Sequence, residues 1–435
     1  MSLLSDGFRW GRALALGALA AGLARAVAPA DPGAPALSLA DARRLALERN
    51  ADFRTAEAQV DAAWAQLKIA REYPNPTLGL STAKISTDGT PEGTGWGNSL
   101  WNRSYDSIAA LSQLFVIAKR GPAADAATAG AHAAEFQRDD ARRLLLQAVT
   151  SSYAAAVAAN EQADALLDSA KRLRREADIA AHRFQVGDIS ASDQAQLEIL
   201  ADQDELGAET QRLAAHTAVL TLETLIGEPA PHGATRLTGS LAELTAAITP
   251  GLADAPILTR PDIAAAEAAV KQADAQVKLQ RRQRVPDVTA SVQFERNPIG
   301  QPDTVGFGLS LPLPFWNHYN GEVGAARAAR TQAEAQLDKT RIAATANVES
   351  ARLSFLEAYA RAQRYRNSLA PKSAAVTKSV SYSYEKGGAS LVLLLEAERD
   401  DNQIRVGSVQ AQADAASAAV ALQAALGRLE TSPPP

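Results

Sequence analysis

The residues LLQAVTSSYAAAVAANEQADALLDSAKRLRREADIAAHRF, numbered 145–184, decide the fold of this chain. Small and apolar side chains recur there at alternating steps of four and three residues, which is the spacing of a coiled-coil seam. They are Leu145, Val149, Ala156, Ala159, Ala163, Leu166, Ala170, Leu173, Ala177, Ala180 and Phe184, and Ser152 alone interrupts them. The helical pattern runs from Ala123 to Val186, which predicts one continuous helix of roughly 95 Å. A helix of that length cannot lie inside a single compact core.

The same pattern occurs twice along the chain. Four landmarks recur with a displacement of 200 residues: Phe115, Gly121, Gly187 and Gly227 correspond to Phe315, Gly321, Gly387 and Gly427. A common displacement of this kind indicates a tandem structural duplication. We therefore expect a first repeat at 27–227, a linker or equatorial segment at 228–257 and a second repeat at 258–428. Residues 429–435 are expected to be disordered.

Composition limits the classes of function. Aromatic residues make up only 5% of the 435 residues, and such an alanine-rich chain suits close-packed helices better than a thick globular core. The net charge of −5 offers no basic surface to nucleic acid. Without cysteine, the sequence allows neither disulfides nor thiolate metal sites, and we expect no lipid anchor through a thioether.

The amino terminus has the pattern of an export signal. Arg9 and Arg12 precede an apolar run at 13–24, and small residues offer a cleavage site after Ala26. The alternative interpretation as a membrane anchor is weaker, because the run is too short to span a bilayer. Residues 1–26 are therefore expected to be a signal peptide.

Two segments change from helical to alternating periodicity. They are predicted to form β-hairpins at 77–115 and 287–315, with strands about 9–11 residues long, the length at which a tilted strand crosses a bilayer. The candidate lipid-facing residues are Leu78, Leu80, Val288, Val292, Phe294, Val305, Phe307 and Leu309. The alternative is a pair of solvated sheets on a soluble coiled-coil protein.

Spanning a membrane requires every backbone group to be paired, so the strands must close into a barrel. Four strands cannot close, and barrels of about eight are filled by their own side chains. The smallest barrel of this kind with an open pore therefore has twelve strands, four from each of three chains. The predicted fold class is thus mainly α with a small β part: duplicated long-helix coiled-coil hairpins plus four transmembrane strands per chain. Three chains would form a twelve-stranded barrel, which the long helices extend as a tube.

The order of helix, strand hairpin, long helix, glycine turn and returning helix, all duplicated, resembles the TolC family of outer-membrane factors over nearly the whole chain. The segment LSLPLPFWNHYNGEVGAA at 309–326 resembles the CzcC/CusC heavy-metal efflux branch of that family. The resemblance implies a homotrimer with a twelve-stranded barrel in the outer membrane of a Gram-negative bacterium and a periplasmic helical tunnel. It also implies a periplasmic adaptor and an inner-membrane pump of the resistance-nodulation-division type.

The two glycine turns would form the periplasmic tips, with Gly187, Ser190, Gly387 and Ser390 as adaptor-docking residues. Three-fold symmetry would turn each carboxylate near the tips into a ring that favours cations, although a solvated helix-turn face is the plainer interpretation. Asp188 and Glu385 belong to this acidic group. The resemblance implies a gate in which Asp193 and Tyr384 match a latch and Glu396 supplies a carboxylate.

The latch implied by the resemblance includes an arginine, but this chain has Ala389 at the corresponding position. We therefore expect hydrogen bonding through Tyr384, together with apolar packing of Leu391 and Leu394, to hold the closed state.

No catalytic or metal site emerges from the sequence. The five histidines never stand at a helical i, i+4 spacing, methionine occurs only at position 1, and no phosphate loop, nucleophile elbow or zinc-protease helix is present. We expect no enzyme activity and no cofactor. The favoured function is a passive export duct for heavy-metal cations. Drug efflux, type I secretion and, from a different class, a soluble periplasmic coiled-coil adaptor or scaffold remain open.

Overall fold

The computed structural model describes residues 36–85, 104–187, 189–246, 250–255, 260–297 and 302–428. The expected signal peptide at 1–26, the gate candidate Asp188 and the tail at 429–435 lie outside these ranges.

The described part of the first half of the chain contains four helices and two strands. In order they are α1 (Leu39–Arg49), α2 (Ala51–Arg71), β1 (Thr77–Ile85), β2 (Ser104–Phe115), α3 (Arg120–Gln185) and α4 (Ala191–Ile226). The helix predicted from Ala123 to Val186 is confirmed as α3, which has 66 residues. Asn50 separates α1 from α2, because its side chain accepts a hydrogen bond from the backbone N–H of Phe53 and starts a new helix.

The second half repeats this order. A short helix α5 (Leu241–Ala246) and a 3₁₀ turn (Pro250–Asp254) lead into it. Then follow α6 (Pro261–Arg282), β3 (Val288–Arg296), β4 (Thr304–Ser310), α7 (Asn320–Arg364), a π-helical segment (Tyr365–Leu369), α8 (Ala370–Glu385) and α9 (Leu391–Ala425). The predicted mainly helical fold with a small β part is confirmed.

Pro371 lies inside the helical pattern of the second repeat, where a proline predicts a kink or break. The structure has a π-helical segment at Tyr365–Leu369, directly before it. Proline has no N–H to donate to the carbonyl four residues earlier, which here belongs to Asn367. A π turn relieves such a mismatch within an otherwise continuous helix. The irregularity therefore precedes the proline instead of centring on it.

The four strands form one antiparallel sheet in the order β1-β2-β3-β4. Strand β4 has seven residues, fewer than the expected 9–11. Within the described residues, β1 and β4 each pair with one neighbour only, so they are the edges of the sheet.

The strand register sorts the side chains by polarity. Leu78 is opposite Leu111, Leu111 is opposite Val292, and Val292 is opposite Phe307, so these residues share one face. Alternate residues occupy the other face, which is mostly small or polar: Gly79, Ser81, Ile108, Ala110, Ser112, Ser291, Gln293, Glu295, Thr304, Gly306 and Gly308. One face of the sheet is therefore mostly apolar and the other mostly small or polar. The exceptions are Ile108 and Leu114 on the polar face and Thr82, Ser107, Gln113 and Arg296 on the apolar face.

The chain divides into two compact units. The turn unit comprises the described residues up to Ala46, with Val149–Ile248 and Ala360–Ser417, and it contains both glycine turns. The sheet unit comprises Leu47–Ala148, Thr249–Tyr359 and the residues from Ala418 onward. Each unit takes segments from both expected repeats, so the repeat boundaries stay a prediction.

Each unit has its own core of aliphatic and aromatic side chains. In the turn unit, Tyr153, Leu197 and Leu222 are almost fully buried, and the Tyr153 hydroxyl donates to the Leu37 carbonyl at 3.0 Å. In the sheet unit, Phe355 and Leu422 are fully buried. The interiors are built mainly from alanine and leucine, as the composition indicates.

The linker between the two halves is attached to α4 by one carboxylate. Glu223 is 3% exposed and accepts from the backbone N–H groups of His232 (2.6 Å) and Gly233 (2.7 Å) and from the Thr235 hydroxyl (2.6 Å). Burial alone would raise the pKa of Glu223, but these donors together hold it below its usual value. The ionised carboxylate is thus the form that holds the linker against the helix.

Candidate functional site

The two glycine turns have the same backbone conformation. Gly187 and Gly387 have φ values of 81° and 75°, in the left-handed region where side chains are disfavoured. Their N–H groups donate to the carbonyls of Phe184 (2.9 Å) and Tyr384 (3.0 Å), which close the ends of α3 and α8. The predicted turns are thus present, and glycine is required at both for conformational reasons.

Serines start the two returning helices. The Ser190 hydroxyl accepts from the N–H of Asp193 at 3.1 Å, and the Asp193 carboxylate accepts from the N–H of Ser190 at 3.4 Å. This reciprocal pair is a capping box. Ser390 accepts from the N–H of Leu393 at 3.3 Å but has no acidic partner at that position. Asp193, a predicted gate residue, therefore also has a local structural role.

An apolar cluster lies behind these turns in the turn unit. It brings together buried residues of α3, α4, α8 and α9: Ala177, Ala180, Leu197, Tyr384, Leu391 and Leu394. Ala389, which stands where the resemblance implied an arginine, packs against this cluster. The structure thus brings Tyr384, Leu391 and Leu394 together, while the role of this packing in a closed state stays a prediction.

The hydroxyl of Tyr384 has a distinctive environment. The residue is 6% exposed, and its hydroxyl oxygen is buried without a hydrogen-bond partner among the described residues. The guanidinium carbon of Arg183 lies 5.4 Å from the centre of the ring. Burial raises the pKa of Tyr384, and the positive charge of Arg183 partly offsets this. Sequence reasoning did not identify Arg183, since nothing local links it to a tyrosine on the other hairpin.

The predicted gate carboxylates Glu385 and Glu396 are exposed, and their role in a gate stays a prediction. A buried group lies further along α9 instead. Glu398 and Asp401 are 6% and 2% exposed, and both carboxylates lie 4.0 Å from the guanidinium of Arg172. The Asp401 carboxylate also accepts from the Ser373 hydroxyl at 2.9 Å and from Arg405 at 2.5 Å.

Glu398 is the less completely paired of these two carboxylates. Its Oε2 atom is buried without a hydrogen bond among the described residues. Burial raises the pKa of Glu398, Arg172 opposes that effect, and the charges of Asp401 and Glu176 add to it. The pKa of Glu176 on α3 is raised as well, by burial and by the negative charge of Glu385. In the turn unit, therefore, burial shifts the pKa of both Glu398 and Glu176 above the usual value of a glutamate.

The apolar face of the sheet is the second candidate site. Its large side chains are exposed in the single chain, from 46% for Val292 to 84% for Phe307. Leu78, Leu80, Phe294, Val305 and Leu309 are also exposed, and Val288 is half-buried. A contiguous exposed apolar surface of this kind is typical of contact with lipid or another protein.

Among the helices that the structure describes, none is both long and apolar enough to cross a bilayer. The same residues contain no group of three or more histidine, aspartate or glutamate side chains placed to hold a metal ion.

A family model described as "Outer membrane efflux protein" matches residues 42–228 and 253–428. The chain therefore belongs to the outer membrane efflux protein family, whose members reside in the outer membrane of Gram-negative bacteria and serve transport, not catalysis.

The chain is also similar to two curated relatives and to one solved structure. It is 24% identical over 403 residues to the cobalt-zinc-cadmium resistance protein CzcC of Cupriavidus metallidurans, covering 92% of each chain. It is 29% identical over 401 residues to the pyoverdine export outer membrane protein OpmQ of Pseudomonas aeruginosa, covering 86% of this chain and 80% of OpmQ. A crystal structure of CusC matches with a TM-score of 0.71 and 17% identity over 89% of this chain and 91% of CusC. The expected resemblance to CzcC and CusC is confirmed, in sequence for the first and in fold for the second.

Proposed function

We propose that this protein is the outer-membrane channel of a tripartite efflux system and acts as a passive export duct for heavy-metal cations. It functions as a homotrimer embedded in outer-membrane lipid. A periplasmic adaptor docks at the turns around Gly187, Ser190, Gly387 and Ser390. An inner-membrane pump of the resistance-nodulation-division type supplies the driving force.

The two-faced sheet carries this proposal. Its apolar face, which includes Leu80 and Phe307, is suited to lipid, and its polar face is suited to a water-filled interior. The outer edges of strands β1 and β4 expose backbone N–H and C=O groups, which lipid cannot hydrogen-bond. Three copies joined edge to edge give twelve strands, which is enough for an open channel.

Acidic residues near the turns support a cationic cargo. Asp193, Glu385 and Glu396 occur once per chain, so a trimer presents each of them three times around its axis. Rings of carboxylates favour cations over anions in a narrow pore. The printed description of CzcC as a cobalt-zinc-cadmium resistance protein supports the same choice. Selection of the metal then belongs to the pump.

A second cargo is favoured by one observation, the likeness to OpmQ, which is described as exporting pyoverdine. Deletion and complementation in the source bacterium separate the two. Loss of resistance to zinc, cobalt and cadmium with unchanged export of organic compounds supports the metal duct. Unchanged metal resistance with impaired export of a siderophore or drug would assign the other cargo.

Cell fractionation tests the channel itself against the scaffold alternative. A trimer in the outer-membrane fraction, with mobility on gels that shifts on heating, supports the duct. A soluble monomer in the periplasmic fraction would instead assign a coiled-coil scaffold. The readout does not depend on knowing the cargo.

A further inference from the structure

Four short segments join the strands of the sheet to the helices, all at one end of the sheet. Strands β1 and β3 begin there, and β2 and β4 end there. With the helix and strand ends next to them, these segments comprise residues 71–76, 115–120, 281–287 and 311–320, which we call the rim. In the proposed channel, the rim lies where the barrel meets the periplasm.

Side-chain contacts join the segments of the rim to one another. They follow the order of the strands: Arg120 Nη2 donates to the Arg71 carbonyl (2.7 Å), Lys119 Nζ to the Asp287 carboxylate (2.8 Å) and Arg284 Nε to the His318 carbonyl (3.1 Å). The rim is therefore one continuous surface below the four strands.

The rim is basic, although the chain as a whole is acidic. It contains six cations and two carboxylates, a net charge of +4 in a chain of net charge −5. The cations are Arg71, Lys119, Arg120, Arg281, Arg282 and Arg284, and the carboxylates are Glu72 and Asp287. Within the described part of the chain, Lys119 alone among these cations has an acidic partner. Arg281 and Arg282 are exposed to solvent.

The helix dipole explains only part of this charge. Arg71, Arg281 and Arg282 stand in the last turns of α2 and α6, where the dipole favours cations. Arg120 is the first residue of α3, where the same dipole disfavours a cation. Its guanidinium carbon lies 3.5 Å from the ring centre of Tyr73, which is 67% exposed. The positive charge thus follows the rim and not the polarity of the helices.

Exposed aromatic side chains accompany the cations. Trp316 is 93% exposed, and its ring meets that of Phe315 edge to face, with 6.2 Å between the ring centres. Tryptophan and tyrosine favour the headgroup level of a bilayer, because each has an apolar body and a polar tip. Trp316 and Tyr73 therefore suit the boundary between acyl chains and water.

An apolar groove adjoins the rim on the apolar face of the sheet. It has a volume of about 560 Å³, and Leu111, Val292 and Phe307 contribute to its wall. It reaches the rim at Pro76 and Phe115, which also line it. A surface that joins an apolar groove to unpaired cations matches a molecule with an apolar chain and an anionic head.

We propose that the rim binds anionic phospholipid of the leaflet that faces the helices. Acyl chains lie in the groove, and the headgroup phosphates meet the exposed arginines. Each Lys or Arg near an anionic membrane surface adds to the affinity. A zwitterionic headgroup would bring its ammonium group to a surface where Glu72 is the only carboxylate outside an ion pair among the described residues. The inference rests on the barrel of the proposed function and adds the class of lipid.

Lipid competition tests this preference. The purified full-length trimer in detergent receives equal amounts of phosphatidylglycerol and phosphatidylcholine with identical acyl chains, and the lipids retained after washing are quantified by mass spectrometry. The wild type is expected to retain an excess of phosphatidylglycerol. Arg281→Gln with Arg282→Gln should lower that excess by about fivefold for each arginine lost.

Two matched variants separate the effect of charge from an effect on folding. Arg281→Lys with Arg282→Lys keeps the positive charges and should keep the excess of phosphatidylglycerol. Arg364→Gln with Arg366→Gln removes the same charge from exposed positions of the turn unit and should also keep it.

Three results would overturn the inference while leaving the duct in place. The first is equal retention of both lipids by the wild-type trimer, and the second is an excess that Arg281→Gln with Arg282→Gln leaves unchanged. The third is displacement of the lipid by inorganic phosphate, which would indicate a site for small anions. If the same double variant impairs efflux in cells without changing lipid retention, the rim binds a protein instead. A soluble periplasmic monomer would overturn the proposed function as well.

Discussion

Arg183 and Tyr384 meet at the turns, although 201 positions separate them in the sequence: the guanidinium carbon of Arg183 lies 5.4 Å from the centre of the tyrosine ring. The arginine lies on α3 in the first repeat, and the tyrosine lies on α8 in the second repeat. A cation near an aromatic face is stabilising, more so when the pair is shielded from water. A positive charge therefore stands beside Tyr384 even though position 389 is alanine.

Tyr384→Phe is expected to favour the open state of the trimer. Among the described residues the buried hydroxyl has no hydrogen-bond partner, and the proposed latch would give it one when the aperture closes. One hydrogen bond contributes about 1 kcal/mol, which corresponds to about a fivefold change in the ratio of closed to open channels. Single-channel conductance in planar bilayers measures this. Tyr382→Phe, at a hydroxyl that is already exposed, is the control. Equal conductance in wild type and Tyr384→Phe would reject the latch.

Glu398→Gln is expected to flatten the pH dependence of thermal stability. Burial raises the pKa of Glu398 in the folded protein above its usual 4.5. Its stabilising contribution is therefore complete below that unfolded value and is lost as the pH rises through the folded value. The amide resembles the protonated acid, so the variant should gain stability relative to wild type as the pH rises toward neutral. Melting followed by circular dichroism from pH 4 upward measures it, with the exposed Glu396→Gln as control. Parallel curves for wild type and Glu398→Gln would contradict the assignment.

Gly407→Ala and Gly207→Ala are expected to change stability in opposite directions, although the two positions are equivalent in the duplication. A Cβ at Gly407 would lie 2.8 Å from the hydroxyl of Tyr365, whereas a Cβ at Gly207 meets nothing within 4 Å. Overpacking of this kind costs about 1–3 kcal/mol. Alanine in an open helix position contributes up to about 1 kcal/mol relative to glycine. Denaturant titration of the two variants gives the comparison.

Replacing Tyr365 by Leu should remove most of the penalty of Gly407→Ala, because the clash involves the tyrosine ring and its hydroxyl. If Gly407→Ala still destabilises the protein when Tyr365 is replaced by Leu, the clash with Tyr365 is not the cause of the lost stability.

Phe307→Arg is expected to prevent accumulation of the trimer in the outer membrane. Phe307 is 84% exposed on the apolar face of the sheet, and an arginine on a lipid-facing strand costs about 2–4 kcal/mol near the bilayer centre. Gln293→Arg places the same charge on the polar face of the same sheet and should be tolerated. Quantitative blotting of membrane fractions measures both. Equal yields would show that neither face contacts lipid.

The sequence was informative wherever periodicity or repetition was strong. The 200-residue displacement located both glycine turns, and the helical pattern from Ala123 to Val186 predicted α3 nearly to its ends. The alternating hairpins also formed, because a two-residue period separates a lipid-compatible face from a polar one. The strand β4 is the shortest, since Pro312 and Pro314 follow it and remove backbone donors.

Contacts between distant segments left no local signal. Arg183 belongs to a charged stretch of α3, and Arg172, Arg174 and Arg175 look equivalent to one another in sequence. Only the packing of α9 against α3 places Arg172 beside Glu398 while Arg174 pairs with Asp202 and Glu205 in solvent. Likewise, nothing in the sequence around Glu223 marks this residue as the acceptor for three residues of the linker.

The π-helical segment at Tyr365–Leu369 makes one place in the long helices unusually tolerant of length change. Removing a residue elsewhere in α7 or α8 would rotate everything beyond it by about 100° and misalign the apolar faces. Within Tyr365–Leu369, losing one residue would only convert the wider turn into an ordinary α turn. Insertions and deletions among descendants of this chain should therefore concentrate at that turn and in the loops.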